Sequence, residues 1–147
     1  MDFDDPILNA GDVAHLIGED ESTIRRWHHS GSSNHFGVKR GHSVGYSVRE
    51  AAGFAIARDL INVRFPVPLA AKIGRILTWR IPPDHATISG TPEELAMLAP
   101  EPGSGIMQDR MAWRIPGSTR STISIPVGSI WADVVEKASR LRHARAA

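Results

Sequence analysis

The chain has 147 residues, a length that suits one core-bearing domain with at most a smaller appended region. Its content of 41% hydrophobic and 22% charged residues is ordinary for a globular protein, and the absence of cysteine excludes disulfide bonds, thiolate metal sites and thiol nucleophiles. No apolar run approaches the ~20 residues that span a bilayer. Because the acidic N-terminus is also unlike a signal or transit peptide, we expect a cytoplasmic protein with no membrane partner.

The net charge of +1 hides an uneven distribution along the chain. Residues 1–24 contain seven acidic residues and no Lys or Arg, whereas residues 25–80 contain ten Lys or Arg and two acidic residues. Residues 81–147 contain seven of each sign. A basic middle segment predicts either a polyanionic partner or a solvated face that is rich in arginine.

The N-terminal residues predict two short helices separated by a tight turn. Asn9 can cap the first helix, with Asp12 in its first turn and Gly18 as its end. Asp20 can cap the second helix, which is predicted to run from about residue 21 to residue 29. Two short helices joined by a turn of three or four residues are typical of a helix-turn-helix motif.

The second predicted helix combines an apolar side with a polar, basic side. Ile24 and Trp27 are expected to face inward. The exposed faces then carry hydroxyl, arginine and imidazole groups, on Ser22, Thr23, Arg25, Arg26 and His29. In the major groove, arginine can donate two hydrogen bonds to guanine O6 and N7, and hydroxyl groups can bond bases or phosphates. Glu21 starts the helix, where the helix dipole favours an acid; acceptance from cytosine N4 is the alternative.

Residues 37–46 predict a small hairpin with strands at 38–40 and 43–46. Lys39, Arg40 and His42 would lie beside the second helix and contact phosphates, which positions a protein on DNA without reading its sequence. The Ser47-x-x-Glu50 capping box predicts a helix to about residue 62, and a proline-initiated helix follows to residue 77.

Residues 78–126 carry seven of the ten prolines and a near-repeat. TWRIPPDHATIS at 78–89 resembles AWRIPGSTRSTIS at 112–124. Each copy is predicted to form strand, turn and strand, and the two hairpins could pair in one small sheet, with coincidence as the alternative. A short helix capped by Thr91 is predicted between them.

A final helix is predicted over residues 127–142, with arginines toward its C-terminal end. Its apolar stripe packs either on the small sheet or on a second subunit, and we assign it to dimerisation. The stripe consists of Ile130, Trp131, Val134, Val135, Ala138 and Leu141.

From ILNAGDVAHLIGEDESTIRRWHHSG, through Gly45-Tyr46-Ser47, to the helix ending in GRIL, the chain resembles the MerR family of bacterial transcription regulators. The resemblance covers about half of the chain, and its most specific parts are the order of elements and the STIRRW core. It implies a winged helix-turn-helix domain that works as a dimer on a near-palindromic operator.

The resemblance also implies roles for individual residues. Residues 20–29 match the family's recognition helix and residues 37–46 its wing. Arg25 matches the recognition-helix arginine, and Tyr46 matches the tyrosine at the wing base. Because the chain has no arginine from 41 to 48, Arg40 or Arg49 would have to replace the arginine of the family's Gly-Tyr-Arg motif.

Other chemistry finds little support in the sequence. His28, His35 and His42 are seven residues apart and suggest a metal site, but phosphate contact or simple exposure is the interpretation we favour. Motifs for a nucleophile elbow, a phosphate loop or a zinc protease are absent, so we expect no enzyme activity and no cofactor. Trp79, Trp113 and Trp131 could line a pocket for a small-molecule effector, or form core.

The sequence therefore predicts an α+β protein with two regions. Residues 1–77 form a MerR-like winged helix-turn-helix domain, and residues 78–147 form a small α+β dimerisation or effector region. The expected function is sequence-specific regulation of transcription through double-stranded DNA by a homodimer. The alternatives are a phage excisionase or small-terminase-like DNA-binding protein, and a protein-interaction module that acts through the C-terminal region.

Overall fold

A computed structural model describes residues 1–29, 36–98 and 122–147 of the chain. Helices and two small antiparallel sheets are both present, which confirms the α+β class. The helices are α1 (Ala10–Ile17), α2 (Glu21–His29), α3 (Val48–Asn62), α4 (Val67–Leu77), α5 (Pro92–Ala96) and α6 (Val127–Ala146). The strands are β1 (Val38–Arg40), β2 (Ser43–Gly45), β3 (Ile88–Gly90) and β4 (Ile123–Ile125).

Local capping determines where several helices begin, as the sequence predicts. Asn9 and Asp12 form a reciprocal capping box at the start of α1, and Gly18 ends that helix with a left-handed φ of 74°. Ser47 and Glu50 form the predicted box at the start of α3. A third box, with Thr91 as its cap, starts the predicted short helix α5.

Helix α3 is the centre of the core. Seven consecutive residues, 51–57, are buried, because α1 and α6 pack on one part of the helix and α4 on another. The contact with α4 is very close: a Cβ atom on Gly74 would lie 2.3 Å from the carbonyl oxygen of Gly53. Only glycine fits at that crossing, so α3 and α4 form one rigid layer.

Helix α6 packs back on the N-terminal helices of the same chain. Its residues Trp131, Val134 and Ala138 are buried in the cluster that contains α1 and α3. At its other end, Arg145 donates to Asp12 of α1. Residue 77 therefore separates two regions that differ in sequence character, but α6 of the second region packs on helices of the first.

The near-repeat forms less strand than its sequence predicts. Residues 78–82 contain no strand, so the expected first strand of the first copy is wrong. The two TIS segments do meet, because β3 pairs with β4 in antiparallel register, with Ser89 opposite Ser124. The first part of the second copy lies outside the described residues.

No helix among the described residues combines the length and the apolar character that crossing a bilayer requires.

Candidate nucleic-acid interface

The outward face of α2 is polar and basic. Ile24 and Trp27 are buried, and the Trp27 ring stacks against Phe54 of α3 with the ring centroids 6.5 Å apart. These two anchors hold α2 on the core. The exposed side chains on the opposite side are Ser22, Arg25, Arg26 and His29, and Thr23 beside them is half-buried. Positions 22, 25, 26 and 29 follow the spacing of one helical face, so the structure brings these predicted contacts together.

The turn before α2 is fixed by backbone and side-chain bonds. The carbonyl oxygen of Asp20 accepts from Thr23 and Ile24, which starts α2. Arg58 of α3 donates to the carbonyl oxygen of Ile17 and so satisfies the C-terminal end of α1. Sequence reasoning missed this arginine, because its acceptor lies 41 residues away. The end of α1 is thus bonded to α3 directly before the turn that leads into α2.

The hairpin β1–β2 forms at the predicted place. Lys39 pairs with Val44 and Arg40 with Ser43, and Gly41 at the tip has a φ of 61°. Lys39, Arg40 and His42 are all exposed. The hairpin thus presents two cations and an imidazole on a narrow projection.

The base of the hairpin is tied to the core. Glu50 caps α3 with one carboxylate oxygen and accepts from the backbone N–H of Gly37 with the other. Tyr46 exchanges two backbone hydrogen bonds with Leu8, of 2.7 and 2.9 Å. The sequence indicated the cap made by Glu50 but not its bond to the hairpin, since Gly37 lies thirteen residues away.

Helix α2 and the hairpin lie side by side. The rings of His28 and Tyr46 meet edge to face, with centroids 6.0 Å apart. Burial raises the pKa of Tyr46, Glu50 adds to the rise, and Arg25 opposes it. Helix α2 and the base of the hairpin are thus in contact at His28. We name the exposed side of α2 together with the β1–β2 hairpin the basic face.

Most cations of the basic face have no acidic partner. Among the described residues, no ion pair involves Arg26, Lys39 or Arg40. Arg25 differs, because it donates through Nε and Nη2 to Glu21 while its side chain stays 66% exposed. Unpaired, solvated cations on one surface favour an anionic ligand.

Two of the predicted DNA contacts have other positions in the structure. Tyr46 is buried and packs on His28 and Phe54. Arg49 is 22% exposed; it forms an ion pair with Asp4, donates to the carbonyl oxygens of Thr78 and Trp79, and lies over the Trp131 ring. The Tyr46 ring and the Arg49 guanidinium are therefore engaged in contacts within the fold.

The histidines do not assemble a metal site in the described part of the chain, where no group of three or more candidate ligands occurs. His35 lies outside it. Nδ1 of His28 is buried and has no hydrogen-bond partner among the described residues. Burial lowers the pKa of His28 and the neighbouring His29 lowers it further, whereas Glu50 raises it.

The predicted dimerisation stripe is mostly internal. Trp131, Val134 and Ala138 are buried against α1 and α3, and the Trp131 ring meets Phe3 edge to face. The half-buried members are Ile130, Val135 and Leu141. The role of the stripe in a dimer stays a prediction, which now concerns only its half-buried members.

The three tryptophans do not share one pocket in the described residues. Trp131 is buried on α6, Trp113 lies outside the described residues, and Trp79 is 69% exposed. Trp79 borders an open groove of about 530 Å³ with Ile76, Ile81 and residues of β3 and α6. The groove lies apart from the basic face and carries no charged cluster of its own.

Comparison with known proteins adds no assignment, since no family model, no curated protein and no solved structure matches this chain.

Proposed function

We propose that this protein is a sequence-specific DNA-binding regulator of transcription, built as a MerR-like winged helix-turn-helix. Helix α2 enters the major groove, and the β1–β2 hairpin acts as the wing. The observation that carries the proposal is the basic face, where the exposed side of α2 adjoins a hairpin whose cations form no ion pair with any residue that the structure describes. We also propose that two copies read an inverted repeat, because winged dimers bind two half-sites.

The dimensions and chemistry of α2 fit the groove. The major groove is roughly 12 Å wide, about the diameter of a helix with its side chains. Arg25 presents a planar donor group that matches guanine O6 and N7, and Arg26 on the same exposed side bonds a phosphate. The hydroxyl groups of Ser22 and Thr23 and the ring of His29 contact base edges or phosphates beside them.

The hairpin supplies affinity rather than sequence reading. Lys39 and Arg40 project from β1, and His42 projects from the turn. Contacts from such groups to phosphates release counterions, so binding weakens as salt rises. In this proposal Tyr46 holds the base of the hairpin on the N-terminal segment, and Arg49 holds the start of α3 against Asp4 and the end of α4, so neither residue contacts DNA.

The test is binding of the full chain to a pool of random duplexes, followed by fluorescence anisotropy at several salt concentrations and by selection of the tightest sequences. We expect a steep salt dependence and an enriched inverted repeat. A steep slope without enrichment would replace the regulator with an architectural or packaging protein, as in the excisionase and terminase alternatives. No binding at low salt would refute DNA binding altogether.

A further inference from the structure

The exposed face of α2 carries one acidic residue, Glu21, which forms a hydrogen-bonded ion pair with Arg25. Nε and Nη2 of Arg25 both donate to Oε1 of Glu21, at 3.1 and 2.5 Å. Both side chains are open to solvent, at 66% for Arg25 and 49% for Glu21. The pair therefore joins an acid and a base on the surface that is proposed to face DNA.

Stability does not account for this acid. The helix dipole favours an acid at the start of α2, and Glu21 forms an ion pair four residues along the helix, but at an exposed position solvent screens both effects and each contributes little to stability. On a surface that approaches phosphates, a carboxylate also weakens binding by repulsion. Glu21 thus lowers the affinity for DNA of any sequence and adds little to the stability of the fold.

The ion pair leaves one carboxylate oxygen of Glu21 and several N–H groups of Arg25 able to form further hydrogen bonds. Among the described residues, no donor bonds Oε2 of Glu21, which lies beside α1, 3.3 Å from where a Cβ on Gly11 would be. Arg25 keeps the N–H groups of Nη1 free, together with the second N–H of Nη2. One unit therefore offers donors at its arginine end and an acceptor at its carboxylate end.

We propose that Glu21 is a specificity-determining residue that selects a cytosine next to the guanine bonded by Arg25. This inference rests on the proposed function. In the major groove, cytosine presents the N4 amino group as a donor with no neighbouring acceptor on the same edge. Guanine and thymine present acceptors, which repel the carboxylate, whereas adenine places its N7 acceptor beside its N6 donor, which makes its contact with the carboxylate weaker than that of cytosine. Glu21 also holds the Arg25 guanidinium in a fixed orientation, which narrows the position of its guanine.

The test compares selected sequences for the wild type and for single variants of the full chain. Glu21→Ala should still bind DNA, should bind random duplex at least as tightly as the wild type, and should lose roughly tenfold preference for cytosine at one position. That position should adjoin the one at which Arg25→Ala loses its preference for guanine. A purely structural role for Glu21 would weaken all sequences alike.

The matched control is Glu136→Ala on α6. Glu136 accepts from Nη2 of Arg140 at 2.5 Å, also four residues away and exposed, so the same kind of pair is broken on a helix that does not belong to the basic face. This variant should keep the wild-type sequence preference. Melting temperatures of all variants should agree closely with that of the wild type.

A modified base provides a second measurement. In the selected duplex, 2-pyrimidinone replaces the assigned cytosine and so removes only the N4 amino group. The wild type should lose about tenfold in affinity, whereas Glu21→Ala should not distinguish the two duplexes. If the wild type selects a sequence and Glu21→Ala selects the same one, the inference is refuted and the proposed function stands. If the wild type binds no DNA, both are refuted.

Discussion

The basic face and helix α6 are both rich in cations, but the two regions differ in how many of those cations form ion pairs within the described residues. On α6, Lys137 pairs with Asp133 and Arg140 with Glu136. Its last turn is tied to α1 through Arg145 and Asp12. On the basic face the hairpin cations have no ion pair among the described residues.

This difference shows that the number of cations in a segment does not identify a binding surface. A cation that already bonds an acid must lose that partner before it binds a phosphate, which offsets much of the gain. An unpaired cation only loses water and counterions. Removing the unpaired cations should therefore weaken DNA binding more than removing the ion-paired ones.

The largest effect should come from neutralising the unpaired cations. The triple variant Arg26→Ala, Lys39→Ala and Arg40→Ala should weaken DNA binding by roughly 100-fold at low salt, because about three phosphate contacts are lost. The salt slope measured by anisotropy should fall by about 3. Equal binding by the triple variant and the wild type would remove the basic face as the DNA surface.

The corresponding triple variant on α6 is the control for that experiment. Lys137→Ala, Arg140→Ala and Arg145→Ala remove the same charge from the three ion-paired cations of the last helix. Its salt slope should match that of the wild type. A similar loss in both triple variants would mean that binding follows net charge alone, and the comparison between the regions would fail.

A smaller effect is expected for the single change Arg25→Ala. Loss of a bidentate contact with guanine should reduce binding to the selected operator by about 1–3 kcal/mol, with little change for random duplex. Competition anisotropy with both duplexes measures the ratio. An equal loss for both duplexes would make Arg25 a phosphate contact instead of a base contact.

The attachment of α6 can be tested through folding stability. Asp12→Ala removes the carboxylate that accepts from the Asn9 N–H and from Arg145, so the free energy of unfolding should fall by about 1–2 kcal/mol in urea titrations. Asp133→Ala removes only an exposed pair and should change stability by less than about 0.5 kcal/mol. Similar values for the two variants would show that the contact with α1 does not hold α6.

The smallest effect concerns pH and the contact between α2 and the hairpin. Because the pKa of His28 is lowered in the fold, the unfolded chain binds the proton first as pH falls through the ordinary value of 6.5, and stability decreases. His28→Gln should remove part of this decrease between about pH 7.5 and 5.5, measured by urea unfolding at each pH. An unchanged pH dependence would mean that His28 does not contribute.

Helix boundaries could be predicted well, because their signals are local. The capping residues Asn9, Ser47 and Thr91 each bond a group three positions along the chain. The Glu21–Arg25 pair could also have been predicted, since acidic and basic side chains four residues apart are neighbours on a helix. The interpretation of Glu21 from the helix dipole alone overlooked that spacing.

The function of individual arginines was harder to predict. Arg49 was assigned to DNA by resemblance, but its partner Asp4 lies 45 residues before it and the carbonyl groups it bonds lie 29 and 30 residues after it. The sequence alone does not indicate that these groups meet. The same limit applied to the first strand of the near-repeat, where WRIP at 79–82 is irregular.

The sequence by itself determined the order of the helices, most of their limits, the position of the hairpin and the polar face of α2. These features depend on hydrogen bonds and apolar spacing within a few residues, which the linear pattern contains. The end of α6 was predicted wrongly, at residue 142, because the helix continues to Ala146, where Arg145 bonds Asp12. Only the tertiary structure decided which cations are free and which are bound, and that the stripe of α6 packs inside the chain. Those outcomes depend on which distant segments α3 brings together, as in the Asp12–Arg145 pair across 133 residues.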